Sequence, residues 1–157
     1  MTGQRLPPAS LLRDLDAAIG TAPLCQPDQI VGLPAVTGAY ALILYVADTL
    51  ALSRPRRDHD VLSAGWYIYA GSARGPGGIR ARLARHMRQD KPVHWHIDQV
   101  TTRKGTRIWA APLPDRTECD LVSDLTASGR FVATHPGFGS SDCKHCTAHL
   151  LMWRRTG

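Results

Sequence analysis

No stretch of this sequence approaches the run of about 18 apolar residues that a membrane span requires. The longest apolar run, Ala39 to Ala47, suits a strand instead. The opening Met1–Arg5 lacks the basic-then-apolar layout of a secretory leader, so a cytoplasmic location is expected. Cysteine is scarce: Cys25, Cys119, Cys143 and Cys146 are the full set. Four cysteines could close two disulfides, but without a secretory context free thiols or a metal site are expected. Lysine is scarcer still, with 3 residues against 16 arginines. Disorder is excluded, because 43% apolar and 20% charged residues can build a core. A chain of 157 residues is one domain's worth. No internal repeat is present.

The net charge is +6 and the isoelectric point about 9.5. Arginine grips phosphate through a planar bidentate fork, so this balance suits a phosphate-rich partner. Codon usage in a GC-rich genome accounts for arginine over lysine equally well, and the placement of the arginines must decide.

Residues 1–35 read as an N-terminal extension. Ser10 can cap a helix with Leu11, Leu12, Leu15 and Ile19 on one face, ended by Gly20. Pro23, Pro27 and Pro34 then break up the connection. Residues 36–157 form the main domain. Gly38 to Ala47 and Gly65 to Gly71 read as strands that pair as an antiparallel hairpin. Between them, residues 48–63 hold a short edge strand and a basic loop, Arg54 to Asp58. A glycine-rich loop, Gly71 to Gly78, precedes a helix with Ile79, Leu83 and Met87 on its apolar face, Arg80, Arg82, Arg85, His86 and Arg88 on the others, and Pro92 as its stop. Thr106 to Ala111 reads as a third strand and Glu118 to Leu125 as a second helix, with Phe131-Val132 as a further short strand. The expected class is α/β (α+β): a small antiparallel three-stranded sheet flanked by helices, with an N-terminal accessory helix.

Two triplets, Gly38-Ala39-Tyr40 and Tyr69-Ala70-Gly71, lie on consecutive expected strands. Arg82-Leu83 follows on the next helix, His86 one turn later, and Glu118 opens the helix after the third strand. In this order the residues resemble the GIY-YIG nuclease superfamily over roughly residues 36–153. The phrases Gly65 to Ala73, His94 to Asp98 and Gly137 to Cys143 look closest to its Uri-type branch, some of whose members are fused to endonuclease III-like repair glycosylases. Three departures stand out. Alanine occupies both middle positions of the triplets. The triplets lie farther apart than is usual in the superfamily. The asparagine that usually follows the glutamate has no clear match, with Ser141 or Asp142 as substitutes.

The resemblance implies a metal-dependent endonuclease that hydrolyses DNA phosphodiesters in repair or processing. Its catalytic residues would be Tyr40, Tyr69, Arg82, His86 and Glu118. Phosphodiester hydrolysis needs an activated water, charge stabilisation at phosphorus and help for the leaving oxygen. Glu118 would hold Mg²⁺ or Mn²⁺ as a hard oxygen ligand, and Arg82 would steady the extra negative charge. Tyr40 would be the general base, with Tyr69 orienting the water or relaying the proton. A tyrosine ordinarily titrates near pH ~10, so Arg82, His86 and the metal would have to lower Tyr40. Singly, each residue has an ordinary structural reading: a packed strand tyrosine, a solvated helix arginine, a glutamate on a helix dipole. Only their joint order argues otherwise.

Ser72, Arg74, Arg80, Arg85 and Arg88 are the expected nucleic-acid contacts, from the glycine loop and the helix it opens. Trp66 or Trp95 could stack on unpaired bases, or be buried. His94, His96 and Asp142 are candidate accessory residues. In the segment His94 to Asp98, a strand would put His94, His96 and Asp98 on one side and a helix would pair His94 with Asp98; a hydrogen-bonded structural cluster is the other reading. Cys143-Lys144-His145-Cys146 with His149 has zinc-like spacing, and Cys119 could be the fourth ligand; semi-buried free thiols are the alternative. Two rival functions follow: a noncatalytic nucleic-acid-binding module, and a small zinc-stabilised interaction domain. DNA is the expected partner, with a repair protein as a second partner by family analogy.

Overall fold

The computed structural model describes residues 5–20, 24–54, 60–140 and 143–155. Leu11, Leu15 and Ile19 recur at helical spacing and are buried, giving helix α1, Ala9–Ile19. The expected Ser10 cap is not formed. Pro8 precedes the helix, and its carbonyl accepts from Leu12 N–H at 3.1 Å, so Ser10 lies within the first turn. Gly20 ends α1 in the left-handed conformation, as expected. A 3-10 turn, Pro27–Gly32, then buries Ile30. Cys25 pairs with Ala110 through two backbone hydrogen bonds.

The rest of the chain runs β1 (Gly38–Val46), β2 (Leu50–Ala51), β3 (Val61–Leu62), β4 (Gly65–Ala73), α2 (Gly78–Met87), α3 (Asp98–Thr101), β5 (Arg107–Leu113), α4 (Glu118–Ala127), β6 (Phe131–Val132) and β7 (Leu150–Trp153). The fold is mixed α+β. Its main sheet has the order β5-β1-β4-β7-β6, and each neighbouring pair is antiparallel. The expected three-stranded sheet is the β5-β1-β4 part, widened by β7 and β6. Strands β2 and β3 form a separate hairpin.

Both faces of the main sheet are covered, which is why β1 reads as an unbroken apolar run. Tyr40, Leu42, Leu44 and Val46 face one core, shared with Ile79 and Leu83 of α2 and with Ile30. Ala39, Ala41 and Ile43 face the other, shared with Leu11 and Leu15 of α1 and Leu121 and Leu125 of α4. The N-terminal segment therefore supplies side chains to both cores.

Three local expectations change. Helix α2 ends at Met87, well before Pro92. Its last carbonyls, those of Arg85 and His86, accept from Lys91 Nζ at 2.9 Å each. His86, expected off the apolar face of α2, is fully buried. The segment His94 to Asp98 is neither a strand nor a continuous helix: it turns into α3, and the buried Asp98 carboxylate accepts from the N–H groups of His94 (2.8 Å) and Trp95 (2.9 Å). In the 48–63 insertion, Arg54 pairs with Asp60 and donates to the Pro136 carbonyl at 2.9 Å, while His135 Nε2 bonds the Val61 carbonyl at 2.7 Å. This hairpin is thereby fastened to the 135–138 loop. Pro55 to His59, most of the basic loop, lie outside the described residues.

Candidate active site

Pairing of β1 with β4 sets Tyr40 opposite Gly71 and Leu42 opposite Tyr69, so the two tyrosines lie diagonally on one face. Both glycines beside them are required by close approach. A Cβ on Gly71 would overlap the Tyr40 ring, with Cε2 at 2.5 Å. A Cβ on Gly139 would lie 2.8 Å from Tyr69 Cε2, and Gly139 also has φ +70°. The Tyr-x-Gly spacing is therefore a packing device: the glycine leaves room for the ring on the neighbouring strand. Replacing Gly71 with alanine is expected to push the Tyr40 ring from its place and destabilise the fold by about 1–3 kcal/mol. A urea denaturation midpoint reads this, and an unchanged midpoint would contradict it.

Helix α2 leaves β4 at the same end of the sheet and brings its residues over this face. Tyr40 Oη and His86 Nε2 are hydrogen bonded at 2.7 Å. Burial, then the cations Lys91, Arg85 and Arg82, hold His86 down to about 3, so its ring is neutral. Tyr40 is held well above the usual phenol range: burial and Tyr69 outweigh the pull of Arg82. Burial also raises Tyr69. The expected lowering of Tyr40 is thus not present in the protein alone, because desolvation disfavours a phenolate and a neutral His86 supplies no charge.

Arg82 lies over the Trp95 ring, its guanidinium carbon 4.5 Å from the centroid, and Arg85 lies 4.2 Å from the same centroid. Among the described residues no carboxylate pairs with Arg82. Arg85 is engaged: it grips Asp98 in a bidentate pair, 2.9 Å to each oxygen. Burial would raise Asp98, but Arg85 and the Trp95 and His94 N–H groups overcome it and bring the carboxyl down to about 2. This pair fastens α2 to the turn that carries Trp95.

Glu118 enters from the other side of the sheet. Strand β5 runs antiparallel to β1 and ends beside Ala39, so the helix that follows starts at the end where Tyr40 and Gly71 lie. Thr117 caps α4 by accepting from Asp120 N–H at 3.1 Å. Glu118 is the only glutamate in the chain. Its Oε2 lies 3.6 Å from His149 Nδ1.

These elements enclose a cleft of about 700 Å³. Tyr40, Tyr69, Ser72, Arg74, Arg82 and Glu118 line it. So do His94, Trp95, His96, Cys119, Lys144 and His149. Among the described residues its lining carries Arg74, Arg82 and Lys144 against one carboxylate, that of Glu118. Arg80, Arg85 and Arg88 do not line it. Arg80 is exposed near the Leu33 carbonyl, and Arg88 caps the end of α2. His96 is anchored by Gly139 N–H, which donates to its Nδ1 at 3.1 Å, and burial lowers its titration. Trp66 is buried against Tyr45 and Trp109, away from the cleft. Ser141 and Asp142 lie outside the described residues, and the chain contains no asparagine at all.

Sequence reasoning did not assign two residues to the site: Lys91, which depresses His86, and Lys144, on the cleft wall; Trp95, expected there as a base-stacking candidate or a buried residue, is instead the platform for Arg82. His149 entered it only as a metal ligand. Trp95 had a signal in its position between two histidines, but the platform depends on the Asp98 turn. Cys119, Cys143, Cys146 and His149 place their ligand atoms within 4.8 Å of one another, a group able to hold a metal ion. Neither a curated protein nor a solved structure matches the chain. The model of a family described as a domain of unknown function, DUF123, matches residues 39–156. That span holds most of both cores and every residue of the cleft, and the chain belongs to the DUF123 family.

Proposed function

We propose that this protein is a metal-dependent DNA endonuclease of the GIY-YIG type. One observation carries the reading: Tyr40, Tyr69, Arg82 and Glu118, drawn from four separate elements, converge on one basic cleft, with His86 bonded behind Tyr40. A phosphodiester is the substrate class that a cleft whose described residues carry three cationic side chains and one carboxylate suits. The resemblance of the two triplets to that superfamily points the same way.

The residues divide the chemistry. Arg82, with no carboxylate partner among the described residues and steadied on Trp95, receives the phosphate and stabilises the charge that grows at phosphorus. Arg74 and Ser72 extend the contact along the backbone. Tyr40 takes a proton from the attacking water while its own proton passes to His86 Nε2, so no free phenolate is required. His86 is a poor base in the protein alone, because Lys91, Arg85 and Arg82 depress it. A phosphate anion entering the cleft offsets those cations and raises it. Tyr69 orients the water. Glu118 suits Mg²⁺ or Mn²⁺: its side chain is 27% exposed, and Mg²⁺ sites typically use one or two carboxylates, with substrate phosphate and waters completing the shell. Bound there, the ion would act as a Lewis acid on a phosphate oxygen and the departing 3′-oxygen.

The test is Mg²⁺-dependent cleavage of labelled single-stranded, duplex and branched DNA by the wild type and by Glu118→Gln. Cleavage by the wild type that the substitution abolishes is the expected result. Salt-sensitive DNA binding without cleavage on every substrate would overturn it in favour of a noncatalytic binding module.

A further inference from the structure

The cysteines are not accounted for by this chemistry, and their placement is specific. Cys119 is the second residue of α4, Cys143 and Cys146 sit on the loop before β7, and His149 immediately precedes that strand. These segments are remote in sequence, yet their four ligand atoms fall within 4.8 Å of one another. Cys119 Sγ and Cys143 Sγ are 3.5 Å apart. Two sulfurs on a tetrahedral zinc with Zn–S of about 2.3 Å would be separated by about 3.8 Å. The sulfurs are therefore close to the spacing that such an ion imposes.

Two further observations point to a ligand. His149 is only 3% exposed, and its Nε2 is buried with no hydrogen-bond partner among the described residues. An orphaned imidazole nitrogen costs stability unless something binds it. The N–H groups of His145 and Cys146 both lie 3.4 Å from Cys143 Sγ and donate to it. Two backbone donors on one sulfur stabilise it in the anionic form that coordinates metal.

We propose that Cys119, Cys143, Cys146 and His149 hold one zinc ion as a structural centre. Three thiolates and an imidazole are soft and borderline donors, which select zinc over Mg²⁺. Four protein ligands close the tetrahedron and leave no open position for a substrate, so the ion is structural. Glu118 Oε2, 3.6 Å from His149 Nδ1, stands where an outer carboxylate orients a ligating histidine through its second nitrogen. The ion cross-links the first turn of α4 to the loop before β7. The His149 carbonyl, in turn, accepts from Ala70 N–H at 2.9 Å, within the Tyr69-Ala70-Gly71 triplet. The centre thus fixes the wall of the cleft that bears Glu118. A Cys119–Cys143 disulfide is the competing use of these sulfurs, and it would remove two ligands.

The test is the metal content of the full chain, purified under reducing conditions without chelator, followed by cobalt titration of the stripped protein. One zinc per chain is expected. With cobalt, the visible absorption of a tetrahedral ion and thiolate-to-metal charge transfer should appear at one equivalent. Cys146→Ser should lose both signals. Should that variant not fold, the wild type decides alone: stripping zinc should lower its thermal midpoint and adding zinc should restore it. Reduced protein that carries no stoichiometric zinc and takes up no cobalt would overturn the proposal, as would a Cys119–Cys143 disulfide in freshly purified protein. None of these readouts involves DNA, so they stand apart from the nuclease reading.

Discussion

Replacing Tyr40 with phenylalanine is expected to slow DNA cleavage by about 10²–10⁴-fold, the usual contribution of a positioned acid or base. The ring itself is retained, so the contact over Gly71 survives and the sheet is preserved. Only the hydroxyl bonded to His86 at 2.7 Å is removed. DNA affinity should persist, because Arg74, Arg82 and Lys144 are untouched. Stability should fall by about 1–3 kcal/mol, because His86 Nδ1 already lacks a partner among the described residues and the substitution leaves both ring nitrogens buried without one. Single-turnover cleavage and a urea melt measure the two effects. Cleavage at the wild-type rate would remove Tyr40 from the proton transfer.

The largest effect on stability is expected at Asp98. Its carboxylate is fully buried, holds Arg85 through two oxygens and accepts two backbone N–H groups. Asp98→Asn breaks the pair and leaves the partly buried Arg85 without its carboxylate, a change that typically costs about 3–5 kcal/mol. The same group predicts an acid limb. Asp98 is lowered from 3.8 to about 2 in the fold. Its contribution is therefore present above the unfolded value and is lost as pH falls toward 2, amounting to about 2 kcal/mol. His86 adds an earlier limb. It is lowered from 6.5 to about 3, so acid protonates the unfolded chain first, and stability declines from pH 6.5 downward. Urea midpoints from pH 8 to pH 2 should show both limbs in the wild type. Only the later one should vanish in Asp98→Asn. A pH-independent midpoint below 6.5 would contradict the buried, neutral His86.

The long elements were legible because their patterns are strong. Gly38 to Val46 and Gly65 to Ala73 are rich in β-branched and aromatic residues, and Arg107 to Leu113 carries Ile108 and Trp109 in a short apolar run. Ile79 and Leu83 mark the buried face of α2. Strand β7 was not legible: Leu150 to Trp153 is a short apolar run with no alternation, and its role emerges only from pairing with β4. The start of α1 was misplaced because a polar Ser10 imitates a cap, while the backbone of Pro8 begins the helix. Within the site, the order of tyrosines, arginine and glutamate could be read from the chain. Their electrostatics could not. Whether Tyr40 is lowered or raised depends on burial, which the sequence does not display. Likewise, Arg85 and Arg82 look alike in sequence, three residues apart on one helix. Asp98, 13 residues beyond Arg85, engages one and leaves the other to the cleft.

The central claim is that Tyr40, Arg82 and Glu118 act as one unit on a single phosphodiester. Single-turnover cleavage by Tyr40→Phe, Glu118→Gln and the double variant tests it most directly. If the residues serve one transition state, the double variant should be little slower than the worse single one. Rate losses that simply multiply, or a wild type that cuts no DNA with Mg²⁺, would contradict the account.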